Sequence, residues 1–373
     1  MSLTVSYQIC SRCIIDTSVP GANFDEAGVC SGCRSYDQLA AKGFQSTETR
    51  LAALKQIVER IKADGQGKPF DCIVGVSGGV DSTYVALLAK RLGLRPLAVH
   101  LDNGWNSNLA VTNIEKCCGK LGIELYTHVL DWDEFRDLQL AFLRASTSDS
   151  EIPTDHAILA VLSYKARELG ISYILSGVNT SNEGITFPGA TGSQYDWKYI
   201  RGIHRIFGTR PLLTFPHLSL FGFFRSRHLW KQQQVCLIDY VEYDKEQATQ
   251  ELMAELGWQP YAGKHHESVY TRFFQTCYLP IKFGFDKRRL HLSSLVVSGQ
   301  LTRDKAILEM QQPLSTAKER EADMQYVAKK LGIETDKFYQ ILKQPPKSWI
   351  EYPSSERGWA LKFWRRVKKI RNL

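Results

Sequence analysis

The stretch Ser77-Gly78-Gly79-Val80-Asp81-Ser82 limits the folds open to this chain more than any other part of it. The residues before it, Phe70-Asp71-Cys72-Ile73-Val74-Gly75-Val76, read as a short buried strand rich in β-branched side chains. Ser82 to Leu92 reads as a helix. A strand, a glycine turn and a helix start in this order make an anion cradle. The glycines let the backbone approach a phosphate with no Cβ in the way. The amides of the first helical turn and the positive end of the helix dipole then face the negative charge. Ser77 and Ser82 add hydroxyl donors, and Asp81 offers a carboxylate that suits a magnesium ion. The Gly-Lys-Ser/Thr ending of a Walker loop does not follow, so the phosphates are gripped differently.

The motif resembles the PP-loop of the ATP pyrophosphatases, among them GMP synthetase, NAD synthetase, asparagine synthetase and the tRNA thiolases. That resemblance implies cleavage of ATP between its α- and β-phosphates. After Ser82 the alternation of strand and helix continues. Residues 97–100, 124–130 and 172–177 read as strands, and 108–121, 133–144 and 155–169 as helices. Short connections between them predict an α/β fold, a parallel (HUP-like) sheet with helices on both faces. Ligands of such sheets lie beyond the carboxyl ends of the strands. The rule gathers the PP-loop, the segment from His100 to Trp105, Asp155 at a helix start, and the loop from Gly177 to Glu183. His100 and Asp102 are expected at the adenine or ribose, with Trp105 closing over the ring. Gly177 is expected to give backbone room, and Asn179 and Glu183 to face ATP and a second substrate. For His100 or Asn179 alone, a satisfied structural hydrogen bond is the competing explanation.

From about Phe215 the rhythm changes to helices, one of them running from Lys245 to Leu256. Further on, Lys282, Lys287, Arg288 and Arg289 cluster around Asp286, interrupted by Phe283 and Phe285. The block fits either a solvated basic face or a pocket for an acidic, phosphate-bearing substrate. The organisation expected is a ribbon over 1–45, a PP-loop unit over 46–214, a mainly helical substrate or partner region over 215–350, and a basic tail over 351–373.

Four of the nine cysteines form two C-x-x-C knuckles, Cys10/Cys13 and Cys30/Cys33, with the spacing of a four-thiolate structural zinc ribbon. Gly28-Val29-Cys30-Ser31-Gly32 also fits the nucleophile elbow of triad glutaminases, but an elbow needs a large α/β domain around it. Ser2 stands where an N-terminal-nucleophile glutaminase needs cysteine, so ammonia is expected from elsewhere. The remaining cysteines read as small core residues. No apolar run approaches a membrane span and the start lacks a signal-peptide profile, so a cytoplasmic setting with reduced cysteines is expected. Of the net +8, seven basic residues and no acidic one lie between Arg357 and Leu373. The rest is nearly neutral in sum, which argues against a nucleic-acid partner. The tail interleaves Trp359, Phe363, Trp364, Val367 and Ile370 with its cations, as a helix on an anionic membrane or an acidic partner would, or a packed terminal helix.

The cysteine knuckles, residues 77–82, the loop from Gly177 to Glu183 and the block from Lys282 to Ser294 together resemble the N-acetyl sugar amidotransferases of bacterial O-antigen and nonulosonic-acid pathways. The resemblance runs from about Cys10 to Gln344. It implies ATP-dependent conversion of a sugar acetamido group into an acetamidino group, with ATP, Mg²⁺ and structural Zn²⁺. It also implies a separate glutaminase subunit as the ammonia source. Asp81 would hold the magnesium, Glu183 or Asp155 would take a proton from the incoming nitrogen, and Lys198 would stabilise the α-phosphate. A second reading, tRNA thiolation, asks for a persulfide-carrying cysteine, Cys236 or Cys277, and a basic body. A third is an ATP-binding scaffold without turnover.

Overall fold

The computed structural model describes residues 6–42, 46–187, 189–261 and 267–357. Five parallel strands form one sheet: β1 Cys72–Gly75, β2 Pro96–Asp102, β3 Leu125–Val129, β4 Tyr173–Leu175 and β5 Gln233–Val235, in the order β3-β2-β1-β4-β5. The chain leaves β1 towards β2 on one side and later returns to β4 on the other. The switch point of the sheet therefore lies at the end of β1, where the glycine turn begins.

Strand alternation sorts the core into two layers. Cys72 and Val74 of β1 and Ala98 of β2 face the helices Thr47–Asp64, Val80–Arg91, Asn108–Leu121 and Lys245–Leu256. Ile73, Leu97 and Val99 point the other way, onto Val161 and Ala166 of the helix Ile152–Glu168. This is the expected α/β sheet covered on both faces. The fifth strand is the surprise, because it falls after residue 214, inside the region expected to be helical. Gln233-Gln234-Val235 is three residues long with two exposed glutamines, so no apolar period marks it. Its backbone pairing with β4 at the sheet edge makes it a strand.

A second, larger core lies beside the sheet. The helix Trp132–Ala145 packs against Trp197–Phe207 and the C-terminal helices, and the four cysteines of the N-terminal ribbon belong to the same apolar cluster. The ribbon is thus fastened to the C-terminal region. Arg289 reaches Asp16 at 2.8 Å and the carbonyl of Ile14 at 2.9 Å. Arg303 donates to the carbonyls of Cys13 and Cys10, each at 3.0 Å. Of the expected tail, residues 351–357 pack back onto the body, where Tyr352 donates to the Ala145 carbonyl and Ser354 to Asp196. Its basic, aromatic part, 358–373, lies outside the described residues. Among the described residues, no helix is long and apolar enough to cross a membrane.

Candidate active site

The glycine turn is held shut by its own serines. Ser82 Oγ accepts from the Ser77 amide at 3.2 Å and donates to the Gly79 carbonyl at 3.1 Å, and Ser77 Oγ accepts from the Gly79 amide at 3.3 Å. Gly78 has φ +84, and a Cβ there would lie 2.8 Å from the Ala110 carbonyl, so glycine is required twice over. Its carbonyl receives Trp258 Nε1 at 2.9 Å and Tyr261 Oη at 3.0 Å. Gly79 caps the helix Val80–Arg91 without a side-chain bond, leaving the first-turn amides directed out of the helix end. The shape fits a phosphate chain, and the hard carboxylate of Asp81 in that first turn fits Mg²⁺. Tyr243 donates a short hydrogen bond to Asp81 Oδ1, and its ring packs at a tilt against Tyr84, 5.4 Å between centres. Burial and the Asp81 charge push the Tyr243 phenol up, so it stays a donor that orients the carboxylate.

The flanking residues are placed differently from the expectation. His100 is buried, with Nδ1 at 2.9 Å from the Val76 carbonyl and Nε2 at 3.0 Å from Asn106 Nδ2. Nδ1 thus braces the segment that leads into the PP-loop, and Nε2 braces the loop after β2. Asp102 Oδ1 accepts from the Gly104 amide at 2.8 Å and from Asn106. Trp105 does not close over a ligand. It is 1% exposed, donates to Gln139 and packs between Trp132 and Tyr270, because its indole is the centre of the second core. The room at Gly177 is taken by protein: a Cβ there would stand 2.9 Å from the Ser82 amide nitrogen. Gly177 therefore lets the end of β4 press against the PP-loop helix. Asn179 is buried, and its amide lies 3.4 Å from the Gly177 carbonyl. Beyond it, Asp239 accepts from the Thr180 amide and hydroxyl and holds the short helix Thr180–Glu183.

A second group of charges gathers at the same carboxyl edge. Asp155 sits in the first turn of the helix Ile152–Glu168, tied to the β2 loop through Asn103 and Thr154 at 3.4 Å. Burial, with Asp149, Glu151 and Glu183 nearby, holds its carboxyl well above the usual range, and Lys287 opposes the shift. Burial also raises Asp149. For Lys287 burial works to lower the pKa, but these four acids outweigh it and keep the ammonium charged. Lys287 Nζ also lies 5.4 Å from the ring centre of Phe274, on the single π-helical turn Phe274–Tyr278. Lys287, expected in a separate basic block, thus joins Asp155 and Glu183, which sequence reasoning had grouped, while Asp149 and Glu151 were missed because neither stands in a motif. Lys198 is exposed on the first turn of the helix Trp197–Phe207, and no described contact brings it to this group.

The remaining cations of the 282–289 block do not line one pocket. Lys282 is buried and donates to the carbonyls of Ile341 and Leu342 at the end of the helix Thr335–Lys343; burial pulls it down to about 8. Arg288 pairs with Asp286 at 2.8 Å and donates to the carbonyls of Glu309 and Gln312, closing the helix Arg303–Gln311. Arg289 is committed to the ribbon.

In that ribbon the sulfurs of Cys10, Cys13, Cys30 and Cys33 are buried and lie within 4.8 Å of one another. Cys10 to Cys33 measures 3.9 Å and Cys13 to Cys30 measures 3.7 Å. A tetrahedron with Zn–S bonds of about 2.3 Å has edges of roughly 3.8 Å, so the donor set fits zinc. The amides of Cys13 and Cys30 point at Cys10 Sγ and that of Cys33 at Cys30 Sγ, as suits thiolates. With four thiolates as donors, a bound zinc would have no open coordination position and would serve a structural role. Burial pushes the Cys236 thiol up to about 11 and also raises Cys277, the reverse of what a reactive sulfur carrier needs.

Comparison with known proteins fits this geometry. The NAD synthase family matches residues 48–141, and the family described as LPS biosynthesis protein WbpG-like, C-terminal domain, matches residues 267–371. Over 120 residues the chain is 32% identical to the tRNA-specific 2-thiouridylase MnmA of Proteus mirabilis (strain HI4320) and 33% identical to that of Yersinia pestis (strain Pestoides F). Each match covers 28% of this chain and 32% of the relative, so the chain spans about a third of the length of these curated relatives. Among solved structures, the NH3-dependent NAD synthetase from Campylobacter jejuni subsp. jejuni NCTC 11168, in complex with the nitrate ion, aligns with a TM-score of 0.30 and 16% identity. The alignment covers 43% of this chain and 73% of that one. The glycine turn at the switch point of the parallel sheet thus lies in a segment similar to the NAD synthase family, and the same chain carries a segment similar to the WbpG-like LPS-biosynthesis C-terminal domain.

Proposed function

We propose that the protein is the synthetase subunit of an amidotransferase that turns the acetamido group of a nucleotide-linked or nonulosonic sugar into an acetamidino group. One observation carries the reading. Lys287, from the WbpG-like segment, is set among Asp149, Glu151, Asp155 and Glu183, which follow the NAD-synthase-like segment in the α/β part of the chain.

An amide oxygen is a poor leaving group, and ammonia cannot displace it unaided. Attack by that oxygen on the α-phosphorus of ATP gives an O-adenylyl imidate and pyrophosphate. Ammonia then adds to the imidate carbon, AMP departs with the oxygen, and the amidine remains. The glycine turn and the first-turn amides of Val80–Arg91 hold the pyrophosphate as its charge develops. A Mg²⁺ held by Asp81 would neutralise part of that charge. Asp155, whose carboxyl keeps its proton to higher pH than an ordinary aspartate, would exchange a proton with the incoming nitrogen, with Glu183 beside it. Lys287 would orient the substrate among the acids, and Asn179 would support the β4 loop, while Lys198, exposed on the helix Trp197–Phe207, is given no role. The four-thiolate ribbon braces the C-terminal helices and takes no step in the chemistry.

The protein should therefore use ammonium by itself and glutamine only in the presence of a separate glutaminase. The test is turnover of ATP and ammonium with a panel of UDP-linked diacetamido uronic acids and CMP-linked or free nonulosonic acids. The products expected are AMP and pyrophosphate, and a sugar whose mass has changed by oxygen for NH. Formation of ADP and orthophosphate would overturn the reading, as would glutamine hydrolysis by the chain alone. tRNA thiolation is the runner-up, and the raised thiols of Cys236 and Cys277 speak against it.

A further inference from the structure

Residues 197–238 contain seven Lys and Arg and no Asp or Glu, so the charge outside the tail, nearly neutral in sum, is sharply segregated. On the helix Trp197–Phe207 the residues Tyr199, Ile200 and Ile203 are buried, while Lys198, Arg201 and Arg205 stand on the exposed face at i, i+3 and i+7. Arg201 and Arg205, with Arg210, Trp197 and Leu212, line a cavity of about 400 Å³. Arg210 makes an exposed pair with Asp133 at 3.2 Å.

Large apolar side chains stand exposed in the same stretch: Leu213 at 80%, Phe221 at 70%, Leu229 at 68%, Ile206 at 55% and Phe224 at 50%. They are displayed from fixed backbone. The amides of Leu213, Thr214 and Phe215 all donate to the Glu134 carboxylate at 2.9–3.0 Å, which pins the segment and turns Leu213 outward. Trp197 stacks on Phe215 and His217, Phe223 packs on His156 and Tyr195, and Arg167 and Arg225 flank Trp230. These contacts join the stretch into one layer over the helix Ile152–Glu168.

Cations interspersed with protruding aliphatic and aromatic side chains, in a stretch that itself carries no acid and meets Asp133 only at Arg210, have the chemistry of a membrane-interface surface. A nucleic acid would use the arginines and the aromatic faces but would gain nothing from Leu213, Ile206 or Leu229. We propose that the 197–231 face docks on an anionic phospholipid membrane. The Arg201–Arg205–Arg210 cavity takes a lipid phosphate, and Ile206, Leu213, Phe221, Phe224 and Leu229 enter the boundary between headgroups and acyl chains.

The experiment is co-sedimentation of the full chain with vesicles of phosphatidylcholine alone and of phosphatidylcholine with phosphatidylglycerol. Binding is expected only with the anionic lipid, weakening as salt rises. Arg201→Ala/Arg205→Ala should bind at least tenfold more weakly, each cation near the surface being worth about fivefold. Leu213→Ser/Phe221→Ser/Leu229→Ser should also lose at least tenfold with its charge unchanged, and a thermal melt checks that each variant is folded. Undiminished binding by the triple-serine variant would place the attachment elsewhere, in the tail for example, and overturn the proposal. Equal binding to both vesicle types would overturn it too. So would binding of UDP that Arg201→Ala/Arg205→Ala abolishes in a chain that ignores vesicles, since the cavity would then serve a soluble phosphate.

Discussion

Two charged clusters meet at Lys287 and are neutralised in opposite ways. The basic block at 282–289 is local in sequence and dispersed in space: Lys282 and Arg288 close the ends of two different helices, and Arg289 holds the ribbon. The acidic group of Asp149, Glu151, Asp155 and Glu183 is spread over 35 positions and gathered in space around one ammonium. A charge run near a helix end is drawn to backbone carbonyls that need donors, which costs little and stabilises the fold. Like charges brought together against their repulsion need a different explanation, and function is the usual one. Lys282, Arg288 and Arg289 therefore serve stability, the acidic group around Lys287 is the one proposed for chemistry, and substitutions on each side can separate the two.

The largest effect should come from the ribbon that the block supports. Cys13→Ser, or stripping zinc with a chelator, should cost more than about 4 kcal/mol of stability, since the thiolates sit inside the second core. Thermal unfolding with a zinc assay measures it; an unchanged melt would mean that the four thiols need no metal. Next, Arg289→Ala leaves the buried Asp16 carboxylate without its cation and should cost about 3 kcal/mol. Ammonium-dependent pyrophosphate release per folded molecule should not change. If it fell instead, Arg289 would belong with the chemistry.

Lys287→Met should do the reverse, lowering pyrophosphate release about 100-fold in a chain that still folds at pH 5. Full activity would remove Lys287 from the crevice. The smallest effect, about 1 kcal/mol, is expected for Asp155→Asn, and its pH dependence carries the information. Because the folded-state pKa of Asp155 is raised, the native protein binds a proton that the unfolded chain releases. This contribution to stability is whole below the ordinary aspartate value and is lost as pH rises through the folded value. Wild type should therefore lose stability relative to Asp155→Asn as pH rises above the ordinary aspartate value. Parallel stability curves would mean that Asp155 is not held among like charges.

Much of this molecule can be read locally. A strand, two glycines and a helix start are contiguous, so residues 77–82 announce their own geometry, and paired C-x-x-C knuckles do the same for the ribbon. The helix Lys245–Leu256 ends at Gly257 in the left-handed region, where the sequence puts it. The misreadings share a cause. Trp105 and Gly177 lie at strand ends, where the switch-point rule expects ligand contacts, yet their neighbours are Trp132, Tyr270 and the first turn of another helix. Strand β5 has no apolar period because its register is set by β4 alone. Tyr243, Trp258 and Tyr261 hold the PP-loop from more than 160 positions away, and no local pattern marks them.

By itself, then, the amino-acid order settled the anion cradle, the four-thiolate ribbon and the α/β alternation, since each depends on backbone conformation and side-chain chemistry within a few neighbouring residues. Only the tertiary structure decided which cations close helices and which one enters the acidic crevice. Such pairings depend on distances between segments remote in the chain, and a charge is stabilised by whichever partner the folded core brings within reach.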